Sequence, residues 1–261
     1  MANVYVQHFG PADAPALVLL HGWASNGEVW KGIIERLESH FALTVIDVPS
    51  LGRSVGYDVL TSQQAVDLIA EQAPEQALWV AWSLGGQLAI DLATRHPSKV
   101  TSLCLVASNP CFVEREDWSS AMTQAVFDQF TQMLSTRPSK TLQRFQRLQT
   151  LGSSQAADEM SFLAAVSAFD SDVDYNTALA WLSEDQRPAF AKLTCPVSLV
   201  LGEGDAVVPA SLAEAAKDLL PSANVRVLAD AGHLPFMSYP DVLVDEISSL
   251  AARVHQGDSS D

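Results

Sequence analysis

The sequence has few basic residues, few cysteines and no long apolar segment. Its 261 residues contain 15 Lys and Arg against 31 Asp and Glu, which gives a net charge of −16. A field of that sign repels phosphate backbones and anionic lipid, so we expect neither nucleic acid nor a membrane as a partner. No stretch approaches the roughly 20 apolar residues of a membrane helix, and the N-terminus lacks the basic start of a signal peptide.

Cysteine usage and the acidic residues point to a reducing compartment and to no bound metal. Cys104, Cys111 and Cys195 form no CxxC pair, and an odd number of cysteines suits a reducing environment. We therefore expect a soluble, cytoplasmic protein. The run 170–174 (Asp-Ser-Asp-Val-Asp) alternates like a calcium loop but lacks the glycine and the glutamate that such a loop requires. The sequence predicts no metal and no cofactor.

Short apolar runs alternate with helical stretches over most of the chain. Runs of this kind are typical of strands that are buried on both faces, as in a parallel sheet. The sequence thus predicts an α/β fold, a mostly parallel twisted sheet with helices on both faces. The expected strands are 16–20, 42–46, 77–81, 100–106, 197–201 and 225–228, and the expected helices lie near 27–39, 61–73, 86–95, 211–220 and 240–254.

The alternation stops after residue 110 and resumes near Cys195. The segment between them is rich in Gln, Ala and aromatic residues at helical spacing, and it contains no convincing strand. We expect a helical cap inserted into a single core domain. The predicted boundaries are 1–110 and 188–255 for the α/β core, 111–187 for the cap and 256–261 for a disordered tail.

A serine at the end of an apolar strand is the first candidate for chemistry. Ser83 follows the run 77–82, and Gly85 and Gly86 open a helix directly after it. This is the layout of a nucleophile elbow, a tight turn that exposes the serine Oγ at the C-terminal edge of the sheet. Small neighbours are needed because the backbones approach closely there, although Ala81 stands where a glycine is usual. The alternative is a serine that caps an ordinary helix.

An acid and a histidine should follow such a serine in that chain order. His233 comes directly after the last predicted strand, and Asp205 lies in a glycine-flanked turn after the strand before it. Glu203 is the competing carboxylate, but it lies closer to the strand end. We predict Ser83, Asp205 and His233 as the catalytic residues, with Asp205 holding the tautomer of His233 and stabilising the imidazolium.

A pair of backbone donors would complete the site. The tripeptide His21-Gly22-Trp23 follows the first long apolar run, where a backbone N–H can face the serine turn. The predicted oxyanion donors are therefore the N–H groups of Trp23 and Leu84.

These segments together resemble the α/β-hydrolase family along essentially the whole chain. The loop 47–54 (Asp-Val-Pro-Ser-Leu-Gly-Arg-Ser) is similar to a loop of that family, with Ser50 in place of a glycine. Within the family, the resemblance is greatest to the carboxylesterases of biotin synthesis that act on the methyl ester of pimeloyl-[acyl-carrier protein]. It rests on the stretches 20–23 with 28–30, 82–86, 106–112 and 144–150.

The resemblance implies an ester hydrolase that works through a Ser-His-Asp acyl-enzyme mechanism and frees a carboxylate and methanol. Gln146 and Arg147 depart from the apolar pair expected at their positions. The alternatives on the same fold are a broad short-chain esterase, a C–C bond hydrolase and a non-catalytic small-molecule receptor. The substrate contacts that the resemblance implies are Trp23, Ser83, Leu84, Phe145, Gln146, Arg147, Leu148, Gln149 and His233.

The implied partner, acyl-carrier protein, is acidic, so a monomer of charge −16 needs a local basic surface to bind it. The segment 129–157 contains no carboxylate. If Pro138 opens a helix, three basic side chains fall on one stripe of it, at i, i+4 and i+7. The alternative is a solvated helix face that balances nearby acids. The predicted docking residues are Lys140, Arg144 and Arg147.

Overall fold

The computed structural model describes residues 3–167 and 170–257 and is built around one seven-stranded sheet. The strands are β1 (Val6–Phe9), β2 (Ala16–Leu20), β3 (Ala42–Ile46), β4 (Ala77–Trp82), β5 (Val100–Val106), β6 (Val197–Gly202) and β7 (Asn224–Leu228). Their order is β1-β3-β2-β4-β5-β6-β7. β1 pairs antiparallel with β3, and all the other pairs are parallel. The predicted α/β fold with a mostly parallel sheet is confirmed.

Eleven α-helices are formed by the described residues. None of them is both long and apolar enough to cross a bilayer. They are α1 (Lys31–Leu37), α2 (Ser62–Gln72), α3 (Leu84–Arg95), α4 (Gln124–Thr136), α5 (Pro138–Thr150), α6 (Ala156–Val166), α7 (Tyr175–Trp181), α8 (Arg187–Phe190), α9 (Leu212–Leu219), α10 (Pro235–Ser238) and α11 (Pro240–Gly257).

Two apolar layers cover the two faces of the sheet. In β4, Trp79 faces the layer formed with α2, α3 and α9, whereas its neighbour Val80 faces the layer formed with α1 and α11. Both side chains are fully buried. A central strand with both faces covered needs apolar residues throughout, which is why β4 is a continuous apolar run.

Helices α4 to α7 lie in the segment between β5 and β6 that the sequence predicts as a cap. α5 packs against both α4 and α6, and α4 also contacts α7. α8 crosses the predicted C-terminal boundary of the cap at residues 187 and 188. The division into cap and core stays a prediction. In that prediction, α4 to α7 are the helices of the cap.

Three details differ from the sequence-based expectation. β1 is a seventh strand that was not expected, because it lies half-exposed at the sheet edge and has no apolar run. The predicted helix at 27–39 is a 3₁₀ turn, Gly27–Trp30, followed by α1. α11 continues through Gly257, two residues into the predicted tail, and residues 258–261 lie outside the described chain.

An ion pair between the buried Asp47 and the partly exposed Arg53 ties together the loops that follow β2 and β3. The side chain of Asp47 is fully buried and accepts hydrogen bonds from Arg53 Nε at 2.8 Å, Arg53 Nη2 at 2.9 Å and the Gly27 N–H at 2.7 Å. Burial by itself would raise the pKa of Asp47. The hydrogen bonds and the positive charge of Arg53 nevertheless hold that pKa below its usual value.

The variant Arg53→Met should lower the free energy of unfolding by about 3 kcal/mol near pH 7, because it leaves the Asp47 carboxylate buried without its charged partner. Since the pKa of Asp47 is depressed in the fold, its contribution is present above the ordinary value of 3.8 and is lost as the pH falls below it. Chemical denaturation near neutral pH and near pH ~3 measures both effects.

The matched control is Arg36→Met, which removes an exposed pair with Asp241 and should change stability little. The acid-induced loss of stability should be smaller in Arg53→Met than in the wild type. Equal stability of Arg53→Met and wild type would contradict a structural role for the pair.

Candidate active site

Ser83 occupies a strained turn between β4 and α3. Its backbone has φ +54° and ψ −122°, a conformation that is rare for a residue with a side chain. The Ser83 N–H donates to the Val106 carbonyl at 2.9 Å, and the Ser108 hydroxyl donates to the Ser83 carbonyl at 2.7 Å. The end of β5 therefore holds the turn in place on both sides of the serine.

Glycine is required where other backbones approach this turn. A Cβ on Gly85 would lie 2.5 Å from the carbonyl oxygen of His21, and one on Gly22 would lie 2.9 Å from the Cβ of Ser83. A side chain at either position would push the loop after β2 away from the serine. These two contacts explain how that loop comes to border the site.

The three side chains predicted as catalytic form one hydrogen-bonded chain. His233 Nε2 lies 3.0 Å from Ser83 Oγ, and His233 Nδ1 lies 2.7 Å from Asp205 Oδ2. The side chains of Asp205 and His233 are fully buried. Because a carboxylate only accepts, Nδ1 donates to Asp205, which leaves Nε2 free to accept the serine proton.

Two backbone amides fix the carboxylate of Asp205. Its Oδ1 accepts from the N–H groups of Val207 at 2.8 Å and Val208 at 3.0 Å, so only Oδ2 faces the histidine. The competing carboxylate, Glu203, is exposed, and its N–H donates to Leu228 at the end of β7. The structure thus brings Asp205, and not Glu203, to His233.

Two buried N–H groups beside Ser83 have no acceptor. Those of Trp23 and Leu84 donate no hydrogen bond within the described ranges, although both residues are at most 2% exposed. Buried amides without partners are rare, and here they lie next to the serine and at the start of α3. Such a pair of donors is suited to receive the negative oxygen of a tetrahedral intermediate.

Two adjoining cavities lie between Ser83 and the helices after β5. The serine cavity, about 60 Å³, is lined by Ser83 and by apolar side chains such as Trp23, Phe145 and Leu179. The arginine cavity, about 340 Å³, shares part of this lining and adds Arg144, Asp205 and Ala206. Since Arg144 is exposed, the arginine cavity reaches the protein surface.

Aromatic contacts shape the inner wall of the serine cavity. The Trp23 ring packs edge-on against Phe145 at 5.0 Å and Phe130 at 5.5 Å, measured between ring centroids. Its indole Nε1 donates to the Tyr175 carbonyl at 2.9 Å, which fixes the ring on α7. The result is a rigid apolar wall suited to an aliphatic chain.

Not every residue predicted to contact substrate lines these cavities. Phe145 and Leu148 line both of them. The amide of Gln146 instead donates to the Ser167 carbonyl at 2.7 Å, and Arg147 is exposed outside both linings. Gln149 is buried, and its carbonyl accepts a hydrogen bond from the His233 N–H at 2.9 Å.

Several lining residues were not predicted as contacts. Met122 and Val126 border both cavities, and Val207 does so because it follows Asp205 by two residues. Leu179 and Leu182 come from α7 and the residue after it. The closeness of Val207 to Asp205 in the sequence is a signal that could identify it. The other four residues lie at the cavities because of helix packing, which the sequence does not reveal.

His21 is placed as a structural residue beside the site. Its Nδ1 donates to the Gly22 carbonyl at 2.8 Å, and its Nε2 accepts from the Val48 N–H at 2.9 Å. Burial lowers the pKa of His21, which keeps the ring neutral and able to accept at Nε2.

In the described ranges, no three His, Cys, Asp or Glu side chains are grouped so that they would hold a metal ion.

Comparison with known proteins gives matches along almost the whole chain. The sequence model of the Alpha/beta hydrolase family matches residues 17–246. A protein of Salmonella typhi named pimeloyl-[acyl-carrier protein] methyl ester esterase is 35% identical over 254 residues, 96% of this chain and 98% of that one. Its namesake from Proteus mirabilis is 39% identical over 246 residues, 92% of this chain and 94% of that one.

Solved structures share the same fold at lower sequence identity. An esterase from Exiguobacterium antarcticum has a TM-score of 0.81 and 20% identity, covering 97% of this chain and 95% of that chain. An enol-lactonase from Burkholderia xenovorans also has a TM-score of 0.81, with 16% identity over 95% of this chain and 96% of that chain. At these identities the likeness concerns the fold alone.

The geometry predicts unequal roles for the two carboxylates after β6. Asp205→Asn should keep the fold and lower kcat for p-nitrophenyl butyrate by about a thousandfold, because an amide at this position favours the wrong tautomer of His233. Glu203→Gln, at an exposed position two residues away, is the matched control and should stay within about twofold of wild type. Steady-state kinetics with a thermal melt of each variant measures this, and the reverse ranking would contradict the assignment.

Proposed function

The chain belongs to the α/β-hydrolase family, and we propose that it is a serine carboxylesterase that hydrolyses the methyl ester of pimeloyl-[acyl-carrier protein] in biotin synthesis. The observation that carries the proposal is the hydrogen-bonded chain from Ser83 through His233 to Asp205, which meets an apolar cavity at the serine. Relatives that bear this name are 35–39% identical over more than nine-tenths of both chains.

Acylation follows from the geometry at Ser83. Its Oγ attacks the ester carbonyl while His233 Nε2, 3.0 Å away, accepts the serine proton. The carbonyl oxygen becomes negative and binds the free N–H groups of Trp23 and Leu84. His233 then gives the proton to the departing methoxide, so methanol leaves and the acyl group stays on Ser83.

Deacylation uses the same groups in the reverse sense. His233 takes a proton from water, the resulting hydroxide attacks the acyl carbon, and the proton passes to Ser83 Oγ as the acyl bond breaks. The carboxylic acid that is released then loses its own proton to solvent. In both halves Asp205 stabilises the imidazolium without taking its proton. Its own position is held by the two amides of Val207 and Val208.

The two cavities match the two ends of the proposed substrate. The methyl ester is at the end of the pimeloyl chain that is remote from the carrier. The ester must therefore reach Ser83 through the apolar serine cavity, with the methylene groups against Phe145 and Leu148. The carrier end would then lie at the arginine cavity, which Arg144 borders at the surface.

A basic surface on α5 supports docking of an acidic carrier. Lys140, Arg144 and Arg147 are all exposed on this helix, while Leu142 and Phe145 on another face are buried. The segment 129–157 has no carboxylate to neutralise them, in a chain whose net charge is −16. One helix thus offers positive charge outside and apolar contact to the acyl chain inside.

The nucleophile is tested by Ser83→Ala, which should lower kcat for ester hydrolysis by roughly a thousandfold or more, because no other group can form the acyl-enzyme. His233→Ala should lose a similar amount, and the double variant should be little worse than either single one. A fluorophosphonate should label wild type at Ser83 alone, as read by mass spectrometry of the digest. One tenth of wild-type activity remaining in Ser83→Ala would rule out the mechanism.

Carrier docking is tested by reversing two charges. Arg144→Glu/Arg147→Glu should raise KM for the carrier-linked methyl ester several-fold, with the larger effect at low salt, since exposed charges act mainly on the encounter and are screened by ions. Hydrolysis of p-nitrophenyl acetate, whose acyl group is short, should change by less than about twofold.

The matched control places the same change of net charge elsewhere. Lys192→Glu/Lys217→Glu alters two exposed residues outside α5 and should leave KM for the carrier-linked ester near wild type. Equal losses on both substrates in the α5 variant would mean that the stripe supports the helices and not the partner. Equal kcat/KM for free and carrier-linked methyl esters in wild type would favour a broad esterase.

A further inference from the structure

The segment from Gln149 to Glu159, which joins α5 to α6, lies directly on the loop that carries His233. The Gln149 carbonyl accepts from the His233 N–H at 2.9 Å, and the Ser154 N–H donates to the Asp230 carbonyl at 2.9 Å. We call this segment the cap junction. It therefore contacts the histidine loop through main-chain groups at His233 itself and three residues before it, at Asp230.

The cap junction also touches the loop of the catalytic acid. A Cβ on Gly152, whose φ is +76°, would lie 2.1 Å from the carbonyl oxygen of Gly204, so the two backbones are in direct contact. Gly204 immediately precedes Asp205. The cap junction is thus packed against the loops of both partners of Ser83.

Glu159 is the buried polar group of this junction. It is fully buried, and its Oε1 accepts hydrogen bonds from the hydroxyls of Ser153, at 2.8 Å, and Ser238. No Lys or Arg in the described ranges pairs with it, and its Oε2 has no hydrogen-bond partner there. A carboxylate in such a position is costly, because its charge is desolvated and only half of it is satisfied.

Ser238 connects Glu159 to the catalytic histidine. It ends α10, a single turn that begins two residues after His233, and its N–H donates to the Leu234 carbonyl at 3.2 Å. The Ser238 carbonyl in turn accepts from the Gln155 side chain at 2.9 Å. Two bonds therefore hold the turn after His233 to the cap junction. The Ser238 hydroxyl bonds to Glu159, and the Ser238 carbonyl bonds to the Gln155 side chain.

The surroundings of Glu159 couple it to His233 electrostatically as well. Burial raises the pKa of Glu159, while the hydroxyls of Ser238 and Ser153 and the nearby imidazole of His233 oppose that rise. The two residues are thus close enough to influence each other. No step of the proposed hydrolysis uses Glu159, and no sequence motif marks it.

We propose that Glu159 is a positioning residue for the general base: through Ser238 and Ser153, its carboxylate fixes the loop of His233 against the cap junction. The role rests on the proposed serine hydrolysis, in which His233 must keep its position in both the acylation and deacylation steps. Misplacement of a general base by a fraction of its hydrogen-bond length slows proton transfer in both steps.

Kinetics with p-nitrophenyl acetate tests this, because its two-carbon acyl group does not need the cavity walls. Glu159→Ala should lower kcat by about tenfold and leave KM within about twofold, since the base is displaced while substrate access is unchanged. Glu159→Gln keeps an oxygen for the two hydroxyls and should recover most of the lost kcat. Asp158→Ala, an exposed carboxylate on the same turn of α6, is the matched control and should behave as wild type.

Ser238→Ala removes the other end of the contact and provides a test if Glu159→Ala does not fold. It should lower kcat by about fivefold at unchanged KM, and the double variant with Glu159→Ala should be no slower than Glu159→Ala alone. The low-field proton resonance of His233 Nδ1–H, which reports its bond to Asp205, should shift in both variants and not in Asp158→Ala.

The proposal is overturned if Glu159→Ala or Ser238→Ala keeps wild-type kcat and an unshifted resonance while only the melting temperature falls. It is also overturned if the two substitutions act multiplicatively, or if Glu159→Gln is as slow as Glu159→Ala. Failure of the proposed function gives a different result, namely hydrolysis by wild type that does not depend on Ser83.

Discussion

The close packing of three strand ends around Ser83 is the constraint on which the rest of the structure depends. β4 stops there, and the serine adopts φ +54° because the end of β5 binds its amide and its carbonyl. The missing side chain at Gly85 lets the end of β2 come into contact with α3. The same turn exposes Oγ and leaves the N–H of Leu84 without an acceptor. One backbone feature therefore supplies both a nucleophile and a donor for the charge it creates.

Residues at strand ends could be predicted from the sequence because local patterns determine them. Ser83, Asp205 and His233 each follow an apolar run, and the C-terminal ends of parallel strands meet at one edge of the sheet. The structure places His233 within hydrogen-bond distance of both Ser83 and Asp205. The glycine-flanked turn after β6 favours Asp205 over Glu203 as the acid. What makes the carboxylate point at the histidine, its two bonds to backbone amides, has no sequence signature.

Contacts made by the helices between β5 and β6 could not be predicted, because a helical pattern does not say which neighbour each face meets. α5 lies between α4 and α6, so Gln146 bonds to the end of α6 instead of lining a cavity. In the sequence Glu159 resembles an exposed acid in a first helical turn, and that pattern does not reveal its contacts with Ser153 and Ser238. The edge strand β1 has no signal in the sequence for a related reason, namely that a half-exposed strand has no apolar run.

The backbone bond from His233 to the Gln149 carbonyl has a consequence for protein engineering. Exchange of lids between members of a fold family assumes that the lid can be replaced while the catalytic framework is kept. Here a transplant that joins a foreign lid at the ends of β5 and β6 would remove the acceptor of the His233 amide and the surface that abuts Gly204. A chimera that retains residues 149–159 of this chain and grafts only α4 and the first turns of α5 would preserve both. In this protein, a change of substrate range that keeps the catalytic framework should therefore leave residues 149–159 in place.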